Sequence, residues 1–240
     1  MTRHVLLNNI DHRDLRVVTA RGAAWGDAVM STPTFPAEFR DIQAYYPIAF
    51  QKNDDGTLQP VALFGFQAGQ NLFLDGERWD AAYVPLAIER QPFLIGTQAD
   101  GAAMLHVDLD HPRVRADQGE PLFRAHGGTA PALDRASAVL RTLYDGLQAL
   151  PAFVDALLRH ELLESFVLDV QRADGSQHRL AGFYTIHEER LRALSAEALH
   201  ALHRDGHLEA IYMAMASLSH FRDLIERFER RERMERGRGG

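Results

Sequence analysis

Apolar and polar positions alternate in short runs through the first half of the chain. Residues 16–19, 46–50, 59–66, 71–74, 94–96 and 103–109 are β-prone, and turn signals separate them. Asp55-Gly56, Asp75-Gly76 and Asp100-Gly101 are dipeptides that suit tight turns between right-twisted paired strands. Residues 36–45 allow one or two helical turns with proline at the start. Short strands at this spacing predict a curved, mainly antiparallel sheet, open or barrel-like.

Near residue 120 the period changes. Residues 117–131 hold three glycines and two prolines and read as a loop. Leu133, Ala136, Leu140, Leu143 and Leu147 then repeat at helical spacing over 132–148. Pro151 opens a second helix with Phe153, Val154, Leu157 and Leu158 on its inner side. Residues 166–170 and 180–185 read as a hairpin about Asp174-Gly175. Helices follow at 188–194, from the N-cap Ser195 to Gly206, and over 208–229, the longest. The expected fold class is therefore α+β, a curved sheet with packed C-terminal helices and a hairpin that joins or flanks it. One domain is expected over 1–229, strand-rich to 120 and mostly helical beyond, with a disordered charged tail at 230–240.

Composition narrows the chemistry. The 240 residues are 46% hydrophobic, enough for a core, and contain no Cys, which excludes disulfides, thiolate metal sites and Cys nucleophiles. Net charge is −7, with 10 basic against 16 acidic residues over 1–120, so no nucleic-acid partner is expected. Lys52 is the only lysine and lies in a polar turn, which leaves no desolvated amine for Schiff-base work. No apolar run approaches a membrane span or a signal segment, and a cytoplasmic location is expected. Gly-x-Ser-x-Gly, P-loop and dinucleotide-binding patterns are missing, and no defined reaction emerges.

Several stretches together resemble one family. His12-Arg13-Asp14-Leu15-Arg16-Val17, Tyr46-Pro47-Ile48-Ala49-Phe50 and Val61-Ala62-Leu63-Phe64-Gly65-Phe66 come first. Asn71-Leu72-Phe73-Leu74-Asp75-Gly76 with Trp79, Tyr83-Val84-Pro85, Arg90-Gln91-Pro92-Phe93 and Gly119-Glu120-Pro121-Leu122-Phe123 follow. Gly182-Phe183-Tyr184, Glu188-Glu189-Arg190-Leu191 and Ser217-Leu218 complete the series. In this order and spacing the chain resembles the SapC family of bacterial proteins. The resemblance implies a link, by name, to a surface-layer gene locus. It also implies gene neighbours such as flavin-dependent halogenases, iron oxygenase-like proteins and outer-membrane receptors. It implies no catalytic residues, because none are established for the family. The chain departs from the family pattern at Gln91, where Tyr is common, and at Asp108-Leu109-Asp110-His111, where an Asp-Glu pair is usual.

Three readings of function follow. The favoured one is a soluble accessory protein that binds a peptide or aromatic small molecule, either in an envelope or uptake role or to hand substrate to a neighbouring enzyme. Aromatic residues crowd the segment 45–93, interleaved with Pro47, Pro85 and Pro92; they form either the core of the sheet or the wall of a groove. Tyr46, Asn71, Trp79, Tyr83 and Arg90 are the candidate ligand-binding residues, with the arginine as a planar fork for an anionic group. The alternative is an iron oxygenase centred on His106 and Asp108, with a second histidine from His126, His160 or His178. Strand alternation would put His106, Asp108 and Asp110 on one face. The favoured reading needs no cofactor. A third reading is a structural protein whose 208–228 helix, apolar on several sides, meets a partner. His200, His203 and His207 would form only a solvated helical face, broken at Gly206.

Overall fold

The computed structural model describes residues 3–97, 103–171, 175 and 177–238. Its elements begin with β1 (His4–Leu6), β2 (Arg16–Val17), β3 (Ser31–Pro33), α1 (Phe39–Ile42), β4 (Ile48–Lys52) and β5 (Leu58–Leu63). Next come β6 (Leu74–Asp75), β7 (Arg78–Trp79), α2 (Leu86–Glu89), β8 (Phe93–Thr97), β9 (Ala103–Asp108), β10 (Val114–Arg115) and β11 (Glu120–Pro121). The helical part holds α3 (Pro131–Arg159), β12 (Leu163–Gln171), β13 (Gln177–Ile186), α4 (Glu188–Arg192), α5 (Ala196–Arg204), α6 (His207–Ser217) and α7 (His220–Arg238). The class is α+β, as the pattern predicts. Strand pairs are antiparallel and fall into four small sheets, none of them a closed barrel. The turns expected at Asp100-Gly101 and at Asp174 lie outside the described residues. Among the described residues no helix is long and apolar enough to cross a membrane.

The chain divides into two compact units, each built from two distant segments. The first is Met1–Ala28 with Leu74–Asp145; the second is Val29–Phe73 with Gly146–Gly240. The change of period near residue 120 falls inside the first unit.

The second unit holds a five-stranded sheet in the order β12-β13-β4-β5-β3. The C-terminal hairpin joins the sheet where Phe183 and Tyr184 oppose Gln51 and Phe50. Aromatic rings fill its core. Tyr46 meets Phe64 and Phe73 edge-on at 5.2 and 4.7 Å, and Phe39 meets Phe153 at 5.9 Å. Each such ring contributes about 1.5–3 kcal/mol through burial alone. A buried hydroxyl links helix to sheet: Ile48 N–H donates to Ser217 Oγ at 2.8 Å, and that hydroxyl donates to the Ala214 carbonyl at 2.6 Å.

Three helical expectations change. Pro151 does not open a helix; it lies inside α3, which runs unbroken for 29 residues. Proline removes one hydrogen bond, while the buried stripe Leu140, Leu143, Leu150, Phe153, Leu157 stays in register across it. The expected long helix after residue 208 is two, α6 and α7, parted at Leu218 and Ser219. Ser217 and Ser219 hydroxyls bond to Ala214 and Ala216 carbonyls there, in competition with helical pairing. Finally, α7 continues through the charged stretch to Arg238. Arg231 pairs with Glu235 and Arg233 with Glu229 at i,i+4, and Arg231 Nη1 donates to the Asn71 carbonyl at 2.9 Å.

The first unit holds the sheets β1-β9-β8 and β10-β2-β11 and the small β6-β7 pair. Leu122 and Val107 are fully buried in it.

Candidate functional site

The five candidate ligand-binding residues divide between the units. Tyr46 and Asn71 lie in the second, at 0% and 2% exposure. Tyr46 belongs to the aromatic core just described. Asn71 Oδ1 accepts the Phe73 N–H at 3.0 Å, an Asx arrangement that shapes the loop after β5. Trp79, Tyr83 and Arg90 lie in the first unit. Trp79 is buried in β7, opposite Leu74. Tyr83 is half-buried on the segment that leads to α2.

Arg90 follows α2 directly. Its N–H closes the helix on Leu86 O, and its Nη1 donates to the Phe93 carbonyl at 2.7 Å. Burial pushes its guanidinium below the usual arginine pKa. Among the described residues no carboxylate lies within ion-pair distance of it. A half-buried cation without an anion carries a desolvation cost that an anionic ligand would offset.

The His106 segment forms β9 and ends at Asp108, so Asp110 lies beyond the strand and does not share its face. The His106 ring covers Gly96, where an added Cβ would come within 2.3 Å of it. Its Nδ1 is 3.2 Å from the Met104 carbonyl. Asp108 Oδ1 accepts the Asp110 N–H at 3.1 Å and thereby shapes the turn after the strand. Among the described residues no group of three or more His, Asp or Glu is placed to hold a metal ion. Among the described residues the two-histidine, one-carboxylate arrangement is not assembled around His106 and Asp108. The side chain of His178 lies outside the described residues. On the other histidine run, α5 ends at Arg204 and Gly206 turns at φ 76°, which puts His207 on α6, edge-on to Phe153 at 5.6 Å.

A buried charge network in the first unit escapes sequence reasoning. Arg113 Nη2 donates to both Asp27 carboxylate oxygens at 2.8 Å. Its Nη1 donates to the carbonyls of Val18 and Ala20 at 2.9 and 2.6 Å. Gly22 N–H donates to Asp27 Oδ2 at 2.9 Å, and Arg21 links Asp27 to Glu89. His111 Nδ1 accepts the Arg113 N–H at 3.2 Å, and burial, then the Arg113 charge, hold this imidazole below its ordinary pKa. The charge of Arg90 adds to that lowering. Two buried polar atoms here, Gln91 Oε1 and Arg113 Nε, have no hydrogen-bond partner. Asp27 and Arg113 are 86 residues apart, and neither sits in a local pattern that predicts burial. The pairing of β2 with β10, continued by the Val18 N–H that donates to the Arg113 carbonyl at 2.9 Å, brings their two stretches together.

Comparison with known proteins gives one match. A family model described as SapC matches residues 7–224. No curated protein and no solved structure matches the chain.

Proposed function

Since the chain belongs to the SapC family, whose resemblance brings no catalytic residues, we propose that it acts as a bacterial, cytoplasmic accessory protein that binds a peptide or aromatic small molecule. In this reading it hands that ligand to a neighbouring enzyme. The observation that carries it is Arg90: a half-buried guanidinium with a carbonyl partner and, among the described residues, no carboxylate. A ligand carboxylate would supply the missing anion, and the half-buried ring of Tyr83 would supply contact area. Trp79, Tyr46 and Asn71 enter this reading as packing that supports the two units rather than as contacts.

The test is a thermal-shift screen of aromatic carboxylates and short acidic peptides against the full chain, followed by titration of the best probe. Arg90→Ala and Tyr83→Ala should each weaken that probe at least tenfold while the melting temperature of the free protein moves by a few degrees. An unchanged affinity in Arg90→Ala would reject the reading. So would a collapse of stability, which would make Arg90 a packing residue.

A further inference from the structure

Two stretches about a hundred residues apart meet in the first unit. Arg16 opposes Pro121 where β2 pairs with β11, and Leu122 N–H donates to the Leu15 carbonyl at 3.2 Å. The chain then turns back on itself. Arg124 N–H donates to the Gly128 carbonyl at 3.0 Å, with Gly127 and Gly128 at φ 91° and 83°. It returns at Ala130, whose N–H donates to the Leu122 carbonyl at 2.8 Å, and α3 begins there. These segments enclose an open cleft of about 570 Å³, within the range of small-molecule sites.

Its lining is cationic and apolar at once. Arg13, Arg16 and Arg124 face it with Asp14, beside Phe123 and Pro131. Three guanidiniums against one carboxylate run counter to the net charge of −7 of the whole chain. Arg16 is fixed, because its Nη1 donates to the Gly119 carbonyl at 2.6 Å. Arg13 and Arg124 are exposed and, among the described residues, have no acidic partner. Two flanking acidic groups are engaged, Glu120 accepting from Arg135 at 2.7 Å and Asp134 from the Thr129 hydroxyl at 2.5 Å, while the exposed Asp14 of the lining offsets one of the three charges.

We infer that this cleft binds a small molecule with an apolar or aromatic body and one anionic group, a carboxylate or a phosphate. The guanidinium forks take the anion, and Phe123 and Pro131 take the body. A polyanion is disfavoured by the net charge of −7. The inference goes beyond the Arg90 reading, since it uses other side chains, and each can fail while the other stands.

The probe is 8-anilinonaphthalene-1-sulfonate, an aromatic anion whose fluorescence rises in apolar surroundings. Titrated into the full native chain, it should bind saturably and more weakly as salt is added. Arg13→Gln with Arg124→Gln should weaken it at least tenfold, as should Phe123→Ala; the two arginines are exposed, so the fold is retained. Arg141→Gln, at an arginine outside the cleft, should leave it unchanged. Phenylacetate and phenyl phosphate should displace the probe, the stronger competitor identifying the anion, and benzyl alcohol should not. Unaltered binding in the double arginine variant, equal displacement by benzyl alcohol, or no saturable binding by the native chain would overturn the inference.

Discussion

Asp27 is fully buried, and its charge is tolerable because Arg113, Gly22 and Arg21 surround it. Removal of one partner from such a pair leaves a buried charge, which costs about 3–5 kcal/mol. Arg113→Met should therefore lower stability to urea by that amount, and Asp27→Asn added to it should restore part of the loss. A double variant no better than the single would show that backbone bonds to Val18 and Ala20, rather than the charge pair, set the cost. His111 beside this pair gives stability a pH dependence. Its pKa is lowered by burial first and by Arg113 next, against the opposing pull of Asp108 and Asp27. The unfolded chain takes up a proton near the ordinary value of 6.5 that the folded chain resists. This contribution is therefore complete above that pH and is lost as pH falls through it toward the lower folded value. His207, also lowered by burial, acts in the same direction. His111→Gln should flatten the fall in urea midpoint between about pH 7.5 and 5.5, and an unchanged slope would leave the effect to His207.

At the scale of elements, α3 shows how packing overrides local signals. Its only glycine, Gly146, lies against Phe35; a Cβ there would come within 2.2 Å of the ring. Alanine is the better helix former by about 1 kcal/mol, yet Gly146→Ala should lower stability by about 1–3 kcal/mol through overpacking. Phe35→Leu in the same chain should recover part of that, and a stabilised Gly146→Ala would show that the ring yields freely. The stripe that crosses Pro151 was written in the sequence, but a proline reads as a boundary until the partner of the stripe is known. The pairing of β12 with β13 was legible because alternation within each strand is a local signal. The split between α6 and α7 was not: beside it Ser217 accepts the Ile48 amide 169 residues away, a contact that no local pattern announces.

Across the whole molecule, the same limit decides how much of the candidate site could be read. Aromatic clustering over 45–93 is visible in the sequence, but the cut between Phe73 and Leu74 puts Tyr46 and Asn71 in one unit and Trp79, Tyr83 and Arg90 in the other. Arginines at 13, 16 and 124 carry no signal until β2 meets β11. Each unit draws on both halves of the chain, so neither half holds a complete core. A fragment of residues 121–240 would keep α5, α6 and α7 but lose β4 and β5 from its sheet. Phe153 would lose Phe39 and Phe50, and Ser217 would lose the Ile48 amide. Helices packed on half a core bury too little apolar surface to offset chain entropy. This fragment should therefore show helical far-ultraviolet circular dichroism, a weak near-ultraviolet signal and a broad thermal profile, whereas the full chain melts cooperatively. A sharp, cooperative transition in the fragment would mean that the second unit's helical part is a core in its own right, and that the segment 29–73 is laid onto it.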